Sequence, residues 1–129
     1  VSQQLAAAYL EAGDTVSAAD QLQKMASKNN DPEFQKNALW QAAELYDKGN
    51  AYDNAVNTYE KYITAYPDPF DQVVEAHQRI IDLYTRNNDD SNRLQWQKKL
   101  VTAVPPNGQN TDRSRFLAGQ AALALAQPS

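Results

Sequence analysis

The chain has 129 residues, enough for one compact domain or a few short repeats. Hydrophobic residues make up 42%, which excludes a fully disordered chain, and a net charge of −4 with no long run of Lys or Arg argues against the basic stripe that nucleic acid requires. Cysteine is absent, which removes disulfides, thiol chemistry and Cys-ligated zinc, and no apolar run reaches the ~18 residues of a bilayer span.

The spacing predicts seven helices joined by short turns, and no strand. The first, about 2–12, is built of strong helix formers and stops at Gly13-Asp14, where Gly suits a left-handed C-terminal cap. The second, about 15–28, carries Val16, Ala19, Leu22, Met25 and Ala26 at helical spacing. Asp20 and Lys24 are one turn apart on it. Asp31 is a good N-cap and Pro32 fits the first turn of a third helix, about 32–48, whose apolar face is Phe34, Ala38, Leu39, Ala42, Leu45 and Tyr46. Gly49-Asn50 breaks it.

The fourth helix, about 52–66, has the clearest stripe: Tyr52, Ala55, Val56, Tyr59, Tyr62, Ile63 and Tyr66. Pro67 stops it, and Asp68-Pro69 is expected to restart the chain as Asp31-Pro32 does. The fifth, about 69–86, repeats the stripe with Phe70, Val73, Val74, His77, Ile80, Ile81 and Tyr84. After Asn87-Asn88-Asp89-Asp90, the sixth, about 91–103, is expected to present Leu94, Leu100, Val101 and Val104 near one face, with Trp96 and Ala103 beside it. Pro105-Pro106-Asn107-Gly108 is a strong turn signal, and a seventh helix runs from near Asp112 to before Pro128.

These helices repeat. Tyr9 and Tyr46 are 37 apart, as are Ala18 and Ala55 and the two Asp-Pro pairs, while Tyr84 follows Tyr46, and Pro105 follows Pro67, after 38. A period in this range means one helical pair copied and stacked. The paired helices resemble the tetratricopeptide repeat, Trp-x2-Leu-Gly-x2-Tyr, then Ala-x3-Phe, then Pro. The best match is Leu39-x2-Ala42-Ala43-x2-Tyr46, Ala55-x3-Tyr59, Pro67. The first unit reads Leu5-Ala6-x2-Tyr9, Ala18-x3-Leu22, with a late Pro32. The third reads His77-x2-Ile80-Ile81-x2-Tyr84, but Arg93 replaces the small Ala and Gln97 the aromatic, so the sixth helix is expected to pack at an altered angle.

The resemblance implies an all-α, right-handed α-solenoid of antiparallel helix pairs. It would form a single domain over 1–129 with units at about 2–30, 32–67 and 69–105 and a terminal helix at 112–127. Helices one and seven are apolar or small nearly all round, and the chain opens on Val1 rather than Met. Both features fit a piece excised from a longer chain with flanking repeats, the alternative for helix seven being a plug on the open end of the stack. Units ending Tyr-x3-Tyr-Pro, and the run Asp112 to Ala126, also look like repeats of large proteobacterial cell-envelope proteins that work with TonB-type systems. That likeness implies a periplasmic or envelope location, the alternative being cytoplasmic.

The catalytic inventory is thin. A His-dependent site must use the single His77, which falls in a core slot and is expected to bond a backbone carbonyl. No phosphate-binding Gly loop occurs. Glu44–Lys48, Glu75–Arg79 and Asp82–Arg86 are spaced for i, i+4 ion pairs rather than acid–base chemistry. The tyrosines, at helical spacing, read as core rather than an aromatic cage, with phenol oxygens reaching water or a backbone carbonyl. No enzyme, cofactor or metal is expected.

In the family the first helix of each pair lines a concave groove. Carried over, the lining is Gln3 and Ala7; Asn37, Trp40, Gln41, Glu44 and Asp47; and Glu75, Gln78, Asp82, Thr85 and Arg86. Trp40 is either a binding anchor or a packing residue. The family's carboxylate clamp needs Lys and Asn where Gln3, Ala7, Glu44 and Asp82 stand, so an acidic groove for a basic or amphipathic peptide is expected instead. The implied function is non-catalytic protein–protein interaction, with no nucleic acid and no membrane insertion. The rival readings are a structural spacer, weak homo-association through the end helices, and a degenerate enzyme fold.

Overall fold

The computed structural model describes residues 2–104 and 110–127. The Pro105-Pro106-Asn107-Gly108 turn, Val1 and Pro128 lie outside the described residues. Among the described residues the chain is all-helical, with seven α-helices and no strand. They are α1 (Ser2–Glu11), α2 (Thr15–Lys28), α3 (Pro32–Lys48), α4 (Tyr52–Ala65), α5 (Phe70–Arg86), α6 (Asp90–Ala103) and α7 (Asp112–Ala126). Contacts gather them into two compact units, Val1–Tyr62 and Ile63–Ser129, divided within α4.

In the first unit α2 packs on both α1 and α3, and short connections make consecutive helices antiparallel neighbours. Small residues let the backbones approach: Ala18, Ala19, Ala42, Ala43 and Ala55 are fully buried. Tyr59 and Tyr62 fill the larger gaps. Thr58, beside them, is buried because its hydroxyl donates to the Asn54 carbonyl at 2.6 Å.

In the second unit α5 packs on α6, and α7 packs on both. The expected α5 stripe is present in Val74, His77, Ile80, Ile81 and Tyr84, widened by the buried Ala76 and Leu83. The expectation for α6 is corrected: Leu94 is exposed, and the buried line is Trp96, Gln97, Leu100 and Val104. Gln97 does occupy the aromatic's slot, and it is tolerated there because its side-chain carbonyl accepts from Arg93 Nη1 at 3.1 Å.

Three turns share one geometry. Gly13, Asn50 and Asn88 take positive φ of 80°, 60° and 57°. The next residue's N–H returns to the carbonyl of the repeated tyrosine: Asp14 to Tyr9 (2.8 Å), Ala51 to Tyr46 (2.9 Å) and Asp89 to Tyr84 (2.9 Å). This is the six-to-one closure of a Schellman cap. Gly49 is thus not the left-handed residue of its turn, as its φ is −87°. Its role is close approach, since a Cβ there would lie 2.4 Å from Thr15 Oγ1.

The two Asp-Pro pairs are not equivalent. Asp31 caps α3 by accepting from Glu33 N at 3.1 Å, with Pro32 as the first helical residue. At the second pair the peptide is cis and Pro69 is itself the N-cap of α5, without a side-chain cap bond.

Candidate partner-binding surface

α1 and α3 flank an apolar pocket of about 350 Å³ in the first unit, with α2 contributing Leu22 and Met25. Ala6, Ala7, Leu10, Phe34 and Ala38 complete its apolar lining, and its polar groups are the amides of Gln3, Asn37 and Gln41. No ionisable side chain lines it. Size and character match a site that takes an apolar group and fixes it with a few polar contacts. The amides of α3 are placed by helical spacing: Asn37 and Gln41 are one turn apart.

Four of the residues expected to line a groove therefore meet here: Gln3, Ala7, Asn37 and Gln41. Trp40 is half-buried and sets its ring edge-on to Tyr59 (5.3 Å between centroids) and Tyr62 (5.1 Å). Glu44 and Asp47 are half-buried on α3 outside this lining. Leu22, Met25 and Phe34 were legible as apolar helix faces, but their share in a pocket depends on which helices meet. A wider depression at the turn end, lined by Leu10, Gly13, Asp14, Thr15, Val16, Leu45, Lys48 and Gly49, carries one charge of each sign. There Asp14 caps α2, and the bonds from the Ser17 hydroxyl and backbone hold its carboxyl below the ordinary value.

In the second unit the expected lining residues engage their own neighbours. Gln78 donates to Asp82 at 2.9 Å, and the Thr85 hydroxyl bends back to the Ile81 carbonyl at 2.8 Å. Arg86 lies exposed in the last turn of α5. Glu75 accepts from Arg113 Nε at 2.7 Å, and Asp71 from the Thr111 hydroxyl at 3.0 Å. These contacts align α7 on α5, and the Glu75 carboxylate raises the Arg113 guanidinium above its ordinary value.

His77 sits as the repeat pattern requires. Its Nδ1 lies 2.8 Å from the Val73 carbonyl and its ring is edge-on to Trp96 at 5.4 Å. Burial lowers its pKa and the Val73 bond opposes that shift. Lys99 Nζ, which covers the Trp96 ring at 4.1 Å, adds to the lowering. The Tyr46 hydroxyl meets side chains of α2: it donates to Asp20 and accepts from Gln23 Nε2 at 2.9 Å.

A family model described as tetratricopeptide repeat matches residues 37–69, about a quarter of the chain. The matched span holds Leu39, Ala42, Ala43, Tyr46, Ala55, Tyr59 and Pro67, the residues that carry the repeat pattern. The seven helices and the recurrent turn geometry are consistent with a helical repeat fold of this kind. No curated protein matches the chain. Among the described residues no helix is long and apolar enough to cross a membrane.

Proposed function

We propose that this chain is a non-catalytic protein–protein interaction module, and that the α1–α3 pocket receives an apolar side chain of a partner peptide. The observation that carries this is an uncharged apolar recess bordered by three amides. Each amide offers both donor and acceptor, so Gln3, Asn37 and Gln41 can bond a peptide backbone while the recess takes its side chain. An amphipathic segment suits such a site better than a purely basic one, because the recess itself bears no charge. The repeated helix and turn pattern supports reading the chain as a module of a larger scaffold.

A random peptide library panned against the 129-residue chain tests this. Selected peptides are expected to share one large apolar residue. They should lose at least about tenfold in affinity on Ala7→Phe, which fills the recess from an exposed position, as a lost anchor of ~1.4 kcal/mol or more requires. Equal affinity for wild type and Ala7→Phe rejects the pocket. Failure to select any peptide favours a structural spacer.

The envelope location is part of the same proposal, supported by the Tyr62-x3-Tyr66-Pro67 end of the second repeat and by the α7 sequence. Fractionation of cells expressing the parent protein decides it, and recovery in the cytoplasm rejects it.

A further inference from the structure

Sulfur is scarce in this chain. Cysteine is absent and Met25 is the one methionine, so its thioether holds the only sulfur atom of the 129 residues. Met25 is also part of the lining of the α1–α3 pocket. About two turns earlier on α2, Ala18 and Ala19 are fully buried, whereas Leu22 and Met25 are half-buried where the helix borders the recess. Residues of α1, α2 and α3 all line it, so the opening is made by packing among three helices rather than by one helix face left bare. A recess of about 350 Å³ admits a molecule as small as hydrogen peroxide.

Taking that pocket as a binding site, the reading on which this rests, we propose that Met25 is a site of reversible oxidation that switches the pocket's affinity. The sulfur attacks hydrogen peroxide and breaks its O–O bond. One oxygen bonds to sulfur, giving the sulfoxide, and the other leaves as water with both peroxide hydrogens. Sulfur gives up two electrons and the peroxide takes the same two.

The product places a polar S–O group among Leu10, Leu22, Phe34 and alanines, where it competes with an apolar guest for the same space. Its oxygen accepts hydrogen bonds, and the amides of Gln3, Asn37 and Gln41 are the donors of this lining. Oxidation therefore acts on both parts of the site, its apolar wall and the groups that fix a ligand. A leucine at this position would give a wall of similar volume without that response.

N-phenyl-1-naphthylamine, a neutral fluorophore that brightens in apolar surroundings, serves as the probe. It is expected to bind the 129-residue chain and to lose affinity on Ala7→Phe, which fills the recess. Mild hydrogen peroxide should add one oxygen atom, located at Met25 by peptide mass spectrometry, and weaken the probe at least about tenfold. The two methionine sulfoxide reductases, one for each epimer, should restore the affinity. In Met25→Leu the affinities before and after peroxide should agree, whatever the starting value. Saturating probe should slow the oxidation severalfold, and so should Ala7→Phe, because each blocks the way to the sulfur. A probe that binds wild type and Ala7→Phe alike rejects the pocket reading, and this proposal with it. If Ala7→Phe abolishes binding while the sulfoxide form binds as well as the reduced one, the pocket stands and the switch is overturned. A Met25 that stays reduced while free methionine in the same solution is oxidised overturns it as well. An equal loss of affinity in peroxide-treated Met25→Leu assigns the effect to another residue and also overturns it.

Discussion

The hydroxyl of Tyr46 on α3 donates to the carboxylate of Asp20 on α2, joining two helices through the repeated tyrosine. The Tyr46 ring is buried and Asp20 is exposed, so the bond sits at the rim of the core. Burial, then the Asp20 bond, raises the phenol to about 12. A raised pKa gives stability that is complete below the unfolded value, about 10, and is lost as pH rises toward 12. Tyr46→Phe should cost about 1–2 kcal/mol at pH 8, a charge-assisted bond partly offset by hydration of Asp20. Urea titrations of both proteins at pH 8 and pH 11 check this, the gap narrowing at the higher pH.

His77 gives the opposite limb. Its pKa is lowered by burial, so its neutral form is the folded one. Stability is complete above the ordinary value near 6.5 and falls as pH drops below it, because the unfolded chain takes up the proton first. His77→Phe should flatten the stability profile between pH 7.5 and pH 5. As the only histidine, its imidazole proton resonances report the titration directly, and a midpoint above 6.5 would contradict the buried neutral ring.

Gly49 and Thr15 are in contact across the α1–α2 and α3–α4 turns. Gly49→Ala should cost about 1–3 kcal/mol by overpacking, since the new Cβ would fall 2.4 Å from Thr15 Oγ1. Thr15→Ala should restore most of that in the double variant. Gly13→Ala meets no neighbour, so its cost, about 1 kcal/mol, comes from φ alone and is not rescued by Thr15→Ala. Thermal melts of the variants separate the two causes.

Ala51 occupies the place that Asp14 and Asp89 fill in the sister turns. Those aspartates accept from Ser17 N at 3.0 Å and Asn92 N at 3.2 Å. At α4, Ala51 supplies only its carbonyl, to Ala55 N at 2.9 Å. Ala51→Asp should stabilise the chain by about 0.5–2 kcal/mol by capping Asn54 N. A denaturation midpoint that does not rise would show that the turn geometries differ in the side chain's reach.

α7 is held by packing more than by charge. Leu117 is buried, so Leu117→Ala should cost about 2–5 kcal/mol. The Arg113–Glu75 pair is more than half exposed on the Arg side, so Arg113→Ala should cost under about 1 kcal/mol and less in high salt. A double-mutant cycle at two salt concentrations measures the difference.

Much of this molecule was legible along the chain. Each helix is a local pattern of apolar residues and breakers, so seven helices follow from spacing, and the repeated tyrosines announce three equivalent turns. Pairwise assembly was harder to read. The α6 sequence has little contrast between faces, so Leu94 and Trp96 could not be ranked without α5 and α7 in place. Asp68-Pro69 looks like Asp31-Pro32 in sequence, yet only Asp31 caps its helix.

The tertiary structure alone decided what those helices surround. Gln3, Asn37 and Gln41 become the polar contacts of one pocket because α1 and α3 flank it, a relation between residues far apart along the chain. Leu22 and Met25 have the periodicity of core residues, and that periodicity holds whether the neighbouring space is filled or open. Phe116 and Leu123 likewise share the spacing of the buried α5 stripe and are left exposed. The 3.6-residue turn settles, residue by residue, which face of a helix is apolar. Whether that face is covered depends on what the chain brings to it from far away.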